Sequence, residues 1–180
     1  MRAEDPIRNT LELSPGAQFH RCALQVNPHH YAESYRGQVP EGDKEGYAEK
    51  LVDRAAALGI DILAVTDHNH VGGVRVIRER AQKRGIHVFP GFELASTEGI
   101  HVLCLYPPDT EEEQLGRFLG EFGIRDPSPS STLCEMAFSD ILPRVRGQGG
   151  ITVAAHATNE NGVLTELDGQ ARIRNWRSED

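Results

Sequence analysis

The sequence predicts an α/β fold with a mainly parallel sheet, open or closed into a barrel. Short β-branched runs alternate with segments whose apolar residues recur at helical spacing. The runs are continuously apolar, as in IDILAVTD (residues 60–67), which is the pattern of strands covered on both faces. Three of them, ending in Asp67–His68, Glu93 and His156, close on residues that ionise. In a parallel sheet or barrel the carboxyl ends of the strands share one face, so these three ends converge.

The elements follow in order. Residues 1–17 read as a loose lead-in, and 18–180 as one domain. FHRCALQVNPHHY (19–31) opens as a strand, with Cys22, Leu24 and Val26 on one side and Ala23, Gln25 and Asn27 on the other. A polar loop with Gly and Pro spans 33–46. YAEKLVDRAAALG is a helix with Tyr47, Leu51, Ala55 and Leu58 as its apolar stripe and Gly59 as its stop. After the IDILAVTD strand, VRVIRERAQKRG is a helix ended by Gly85, whose Arg75, Arg78, Arg80, Lys83 and Arg84 form a solvated face. IHVFPG and IHVLCLY are strands. In TEEEQLGRFLGEFG, Thr110 and Glu113 suggest a capping box and Leu115, Phe118, Leu119 and Phe122 a core stripe. DPSPSST is a loop, a helix weakened by Pro143 follows over 133–147, and GGITVAAH is the last clear strand.

Composition narrows the classes. The chain has 180 residues, 38% hydrophobic and 26% charged, which is globular rather than disordered. A formal charge of −8 argues against a surface devoted to nucleic acid, leaving only a local basic patch for that role. Cys22 and Cys104 lie in apolar strand runs, Cys134 stands apart, and no CxxC pair indicates a zinc ribbon or a disulfide framework. No apolar run approaches the length of a membrane span, and the first residues carry charges and prolines where a secretory signal is apolar. The expectation is a cytoplasmic protein with no membrane partner.

Imidazole and carboxylate at converging strand ends suit a divalent cation such as zinc, manganese or iron. A carboxylate such as Glu93 can bridge two cations, and paired cations clamp the attacking and leaving oxygens of a phosphate ester. His101, eight positions after Glu93, returns to the same face if STEG makes a tight turn. His70 ranks below His68 as a solvated loop residue, while His87 and His20 lie at the opposite strand ends and read as structural. Gln25 and Asn27, with His29 and His30 after them and Asn69 in the next loop, line the same end.

AVTDHN, PGFELAST, IHVLCLY and GGITVAAHA, in this order, resemble the second, third and fourth motifs of the PHP (polymerase and histidinol phosphatase) family, over roughly residues 19–165. The resemblance implies a distorted β/α barrel and a cluster of divalent cations (zinc, manganese, iron or magnesium). It implies hydrolysis of phosphate esters, from small molecules to nucleotides and nucleic-acid ends. It further implies metal roles for His68, Glu93, His101 and His156, with Asp67 a supporting or ligating carboxylate.

Two departures stand out. The family's first motif, His-x-His, aligns with Gln25-Val26-Asn27, and carboxamide oxygens are neutral, weaker donors. The family's late Asp-x-His pair has no counterpart between His156 and Asp180, so the barrel is expected to be incomplete in this chain and the chain to be the front part of a longer protein. The alternative function is a catalytically degenerate PHP domain serving as a regulatory or docking module of an ATPase- or polymerase-like protein.

Overall fold

A computed structural model describes residues 19–30 and 42–171. The lead-in over 1–17, most of the loop after His30 and the tail beyond Ala171 lie outside the described residues. Among the described residues five strands form one sheet in the order β1-β2-β3-β4-β5: β1 Cys22–Val26, β2 Ile62–His68, β3 His87–Ala95, β4 His101–Leu105 and β5 Ile151–Ala154. β1, β2 and β3 pair in parallel, and β4 runs antiparallel between β3 and β5, so four of the five strands point the same way. The sheet is a half-barrel, an incomplete form of the expected distorted β/α barrel. The helices are α1 Lys44–Ala57, α2 Val74–Gln82, α3 Glu112–Gly120, α4 Phe138–Gly147 and the single turn α5 Val163–Glu166.

Strand periodicity sorts the sheet into two faces. Leu63, Val65, Val88, Phe92, Leu94, Val102 and Cys104 join the helices in the main core. Ala64, Leu103, Leu105 and Ala155, with Phe89 and Val153 beside them, form a small apolar cluster on the other face. Counting along each strand, His68 shares a face with Ala64, Glu93 with Phe89, and His101 with Leu103. Gly91 on that face has no room for a side chain: a Cβ there would lie 2.2 Å from the Cys104 carbonyl oxygen, so β4 can approach β3 only across a glycine.

Several local expectations are corrected. β1 does not keep a strict period of two: Ala23 pairs with Leu63 but Val26 with Val65, so a bulge places Ala23 and Val26 together against the core. Cys22 and Leu24 are exposed, on the side of β1 away from that core. The face α1 buries is Ala48, Val52 and Ala55, and Leu58 is exposed at its C-cap. Its start is capped instead by Asp43, which accepts from the Gly46 N–H at 2.8 Å.

Thr110 does not cap α3, whose N-cap is Glu111. Thr110 is drawn away because Arg78 donates to its carbonyl (3.2 Å) and to that of Pro108 (2.9 Å). Arg78 is thereby buried rather than solvated, and Arg80 and Arg84 are tied to Glu49 and Asp53. Pro143 lies inside α4, which begins at Phe138.

The N-terminus of α4 is capped from outside. The Glu98 carboxylate, in the β3–β4 turn, accepts from the Phe138 N–H at 3.0 and 3.3 Å. Burial pushes this carboxyl up, but hydrogen bonds from Ser96, its own backbone and Phe138 outweigh that and hold it below the usual glutamate value. A depressed carboxylate contributes stability that is present above its unfolded pKa and lost as pH falls through its folded pKa. Glu98→Ala is therefore expected to cost about 1 kcal/mol at neutral pH. The gap from the parent should close on acidification below the usual glutamate range. Urea midpoints of both proteins at neutral and acidic pH test this, and a gap that does not depend on pH would refute it.

Candidate metal centre

Each strand end delivers its residue to one place. In the β2–β3 register His68 stands opposite Glu93, and in the β3–β4 hairpin Ala95 stands opposite His101. The turn joining them is tight, with Ser96 N–H donating to Ile100 O and Gly99 N–H to Ser96 O, each at 2.9 Å. His156 follows β5 with a φ of 30°, an uncommon conformation for a non-glycine residue.

Glu93 is fully buried and its two oxygens face two different sets of partners. Oε1 lies 2.9 Å from His101 Nδ1 and 3.7 Å from His156 Nε2, and these two nitrogens are 3.2 Å apart. Donors arranged tetrahedrally about a cation at ~2.0–2.1 Å are separated by about 3.3 Å, so this triangle is the size a cation needs. Oε2 lies 3.2 Å from His68 Nε2 and accepts a hydrogen bond from Gln25 Nε2 at 2.8 Å. His68, Glu93 and His101 thus have the composition and spacing of a metal-holding group, with His156 completing the Oε1 side. Burial pushes the Glu93 carboxyl up, but the His101 hydrogen bond, the nearby imidazoles and the Gln25 hydrogen bond together hold it below its usual value. Burial pulls the His68 imidazole down, against the opposing pull of Glu93. Both shifts favour the forms that ligate: an ionised carboxylate and a neutral ring.

Asp67 goes elsewhere. One residue along a strand reverses the face, and Asp67 points to the helix side. There its Oδ1 accepts from the His68 N–H at 2.8 Å and its Oδ2 lies 3.1 Å from His30 Nδ1. Burial pushes its carboxyl up to about 6, against the pull of His30 and His70. Of the two histidines after β1, His30 thus meets Asp67 on the helix side rather than Glu93. His29 faces α1, with Nε2 3.2 Å from Gly42 O and its ring edge-on to Tyr47. The Asn27 Oδ1 is buried without a hydrogen-bond partner, and its carbonyl accepts from Tyr47 OH at 3.2 Å.

Asn69, expected to line the site, is a tether. With φ at 52° it is fully buried, and its side-chain amide donates to Pro129 O and Thr132 O, both at 2.9 Å. It holds the 126–132 loop over the strand ends. That loop supplies Asp126, which pairs with His70 Nδ1. Sequence reasoning ranked His70 low, as a solvated loop residue, and passed over Asp126. The one signal available was HNHVGG, two glycines one residue beyond a histidine. His20 and His87 do lie at the opposite strand ends, His20 3.7 Å from Asp61 and His87 exposed.

Fold and site together define a β/α half-barrel protein with a histidine–glutamate centre at the carboxyl ends of its strands. The family model of the PHP domain matches residues 42–145. The chain belongs to the PHP-domain family. It is 30% identical over 132 residues to an error-prone DNA polymerase of Caulobacter vibrioides, covering 72% of this chain and 12% of that one. An uncharacterized protein of Methanocaldococcus jannaschii is 29% identical over 98 residues, 54% of this chain and 44% of that one. The chain therefore spans only a small part of the polymerases it matches, 12% and 10% of their length. Among solved structures, a proposed metal-dependent phosphoesterase from Bifidobacterium adolescentis shares the fold. Its TM-score is 0.52 at 15% identity, covering 89% of this chain and 74% of that one. Among the described residues no helix is long and apolar enough to cross a membrane.

Proposed function

We propose that this domain is a metal-dependent phosphoesterase whose centre is Glu93 with His68, His101 and His156. The observation that carries the reading is the division of the Glu93 carboxylate between two sets of nitrogens, His101 and His156 at Oε1 and His68 at Oε2. The PHP family and the phosphoesterase that shares the fold support the reaction class. Glu93 with His68, His101 and His156 would hold a divalent cation (zinc, manganese, iron or magnesium), which would supply a Lewis acid for a phosphoryl oxygen and an acidified water as nucleophile. The chain's own residues set the geometry. The β3–β4 hairpin fixes His101 against Oε1, the β2–β3 register fixes His68 against Oε2, and the Ala64–Leu103–Leu105–Ala155 cluster beneath keeps that floor apolar. The substrate is a phosphate ester, either a small molecule or a nucleotide end. Of the five basic residues on the α2 stretch, Arg78, Arg80 and Arg84 are engaged by carboxylates and carbonyls. The three free cysteines suit the reducing cytoplasm.

A second reading has its own observation. Gln25 donates an N–H to Glu93 Oε2, where the family carries an imidazole that accepts a cation. A donor at that position competes with a cation for the same oxygen, which favours a degenerate module working beside a polymerase or ATPase partner. The purified chain, loaded with manganese or zinc, is expected to retain metal after dialysis and to hydrolyse p-nitrophenyl phosphate or its bis-ester above a free-metal control. Retained metal with no hydrolysis of either ester supports the module. No retained metal ends the phosphoesterase reading.

A further inference from the structure

We propose that His30, Asp67 and His70, with Asp126 held against His70, form a second divalent-cation site, separate from the Glu93 centre. The four residues come from three segments: the turn after β1, the end of β2 with its following loop, and the loop tethered by Asn69. One ligand atom from each of His30, Asp67 and His70 falls within 4.8 Å of the others, the span a single cation bridges. The donors are two imidazoles and one carboxylate, and Asp126 lies beside them in contact with His70 Nδ1. Such mixed nitrogen and oxygen donors suit zinc, manganese, cobalt or iron rather than calcium.

The strand pleat separates this site from the first. His68 lies on the sheet's inner face with Glu93, while Asp67, one residue before it, turns to the helix side. Neither His70 nor Asp126 is among the residues that the family's motifs carry.

The backbone is built to seat these rings. A Cβ on Gly72 would lie 2.6 Å from His70 Nε2 and 2.7 Å from its Cε1, so the His70 imidazole occupies space that only glycine leaves free. Gly72 is not required for a left-handed backbone, and its value here is this space. At Gly73 a Cβ would meet Pro28 at 2.8 Å, so the second glycine lets the turn carrying His30 close against the loop carrying His70. The two rings pack with centroids 4.0 Å apart, each with its Nδ1 turned to a carboxylate from a different segment. Two carboxylates drawn onto one close, tilted pair of imidazoles is an arrangement that a cation between them would relieve.

The site does not depend on the hydrolytic reading of Glu93, and metal counting separates the two. The full chain is dialysed against zinc, then against metal-free buffer, and its zinc measured by elemental analysis. Cobalt absorption serves as a second readout of imidazole ligation. The expected result is that the double variant His70→Ala, Asp126→Asn loses about one equivalent relative to the parent, and that Asp126→Asn alone weakens retention. Gly72→Val, which displaces the ring without removing a donor, is expected to lose the same equivalent. Glu93→Gln should retain it, whatever becomes of the other centre. Unchanged zinc in the double variant and in Gly72→Val would overturn the proposal, as would complete loss of zinc in Glu93→Gln.

Discussion

Glu93→Gln is expected to weaken metal retention at the strand-end centre by at least about 100-fold and to abolish phosphoester hydrolysis with it. Replacing a residue that only orients a ligand already costs about 10–100-fold in affinity. Glu93 stands closer than that, since both of its oxygens face imidazoles and it supplies the charge of the centre. The replacement is isosteric, and its carboxamide can still meet Gln25 and His101 by hydrogen bonds, so circular dichroism should show the parent fold. The loss is then electrostatic rather than structural. Parent-level affinity in a chelator competition would remove Glu93 from the centre.

Phe92→Ala is expected to produce the largest loss of stability, about 3–5 kcal/mol. Phe92 is fully buried between Tyr106 and Phe122, with ring centroids at 5.6 and 6.1 Å. Truncation leaves a void where the sheet meets α3, and neither neighbouring ring can fill it without leaving its own packing. For a chain of this size the melting point should fall by roughly 10 °C. Because Phe92 points to the helix side while Glu93 points inward, folded protein below the new midpoint should keep its metal stoichiometry. Equilibrium urea unfolding measures the first effect and elemental analysis the second. A cost below about 1 kcal/mol would mean that the core closes over the gap.

The convergence of His68, Glu93, His101 and His156 was legible because each sits at a fixed offset from a strongly apolar strand, and strand direction carries such residues to one end. The alternation within β2 also separates Asp67 from His68, but sequence alone does not say what waits on the helix side. His70 and Asp126 were not legible. Their meeting depends on Asn69 holding a loop 60 and 63 positions away, through carbonyls that any residue could supply. The bulge in β1 was hidden for a related reason, since it is set by pairing with β2 rather than by the residues of CALQV. Thr110 shows the opposite failure. A local capping pattern was present, but Arg78 from a distant helix claimed the carbonyl first.

The β3–β4 hairpin has a kinetic consequence for the centre. Glu93 and His101 are separated by 8 positions, whereas Glu93 and Gln25 are separated by 68. Closing the longer loop costs roughly 2 kcal/mol more in chain entropy. The Glu93–His101 half of the centre can therefore assemble from local pairing while the chain is still largely open, and the β1 half must wait for the sheet to be completed. The half that forms last is also the one in which the side chain facing Glu93 is a carboxamide, Gln25.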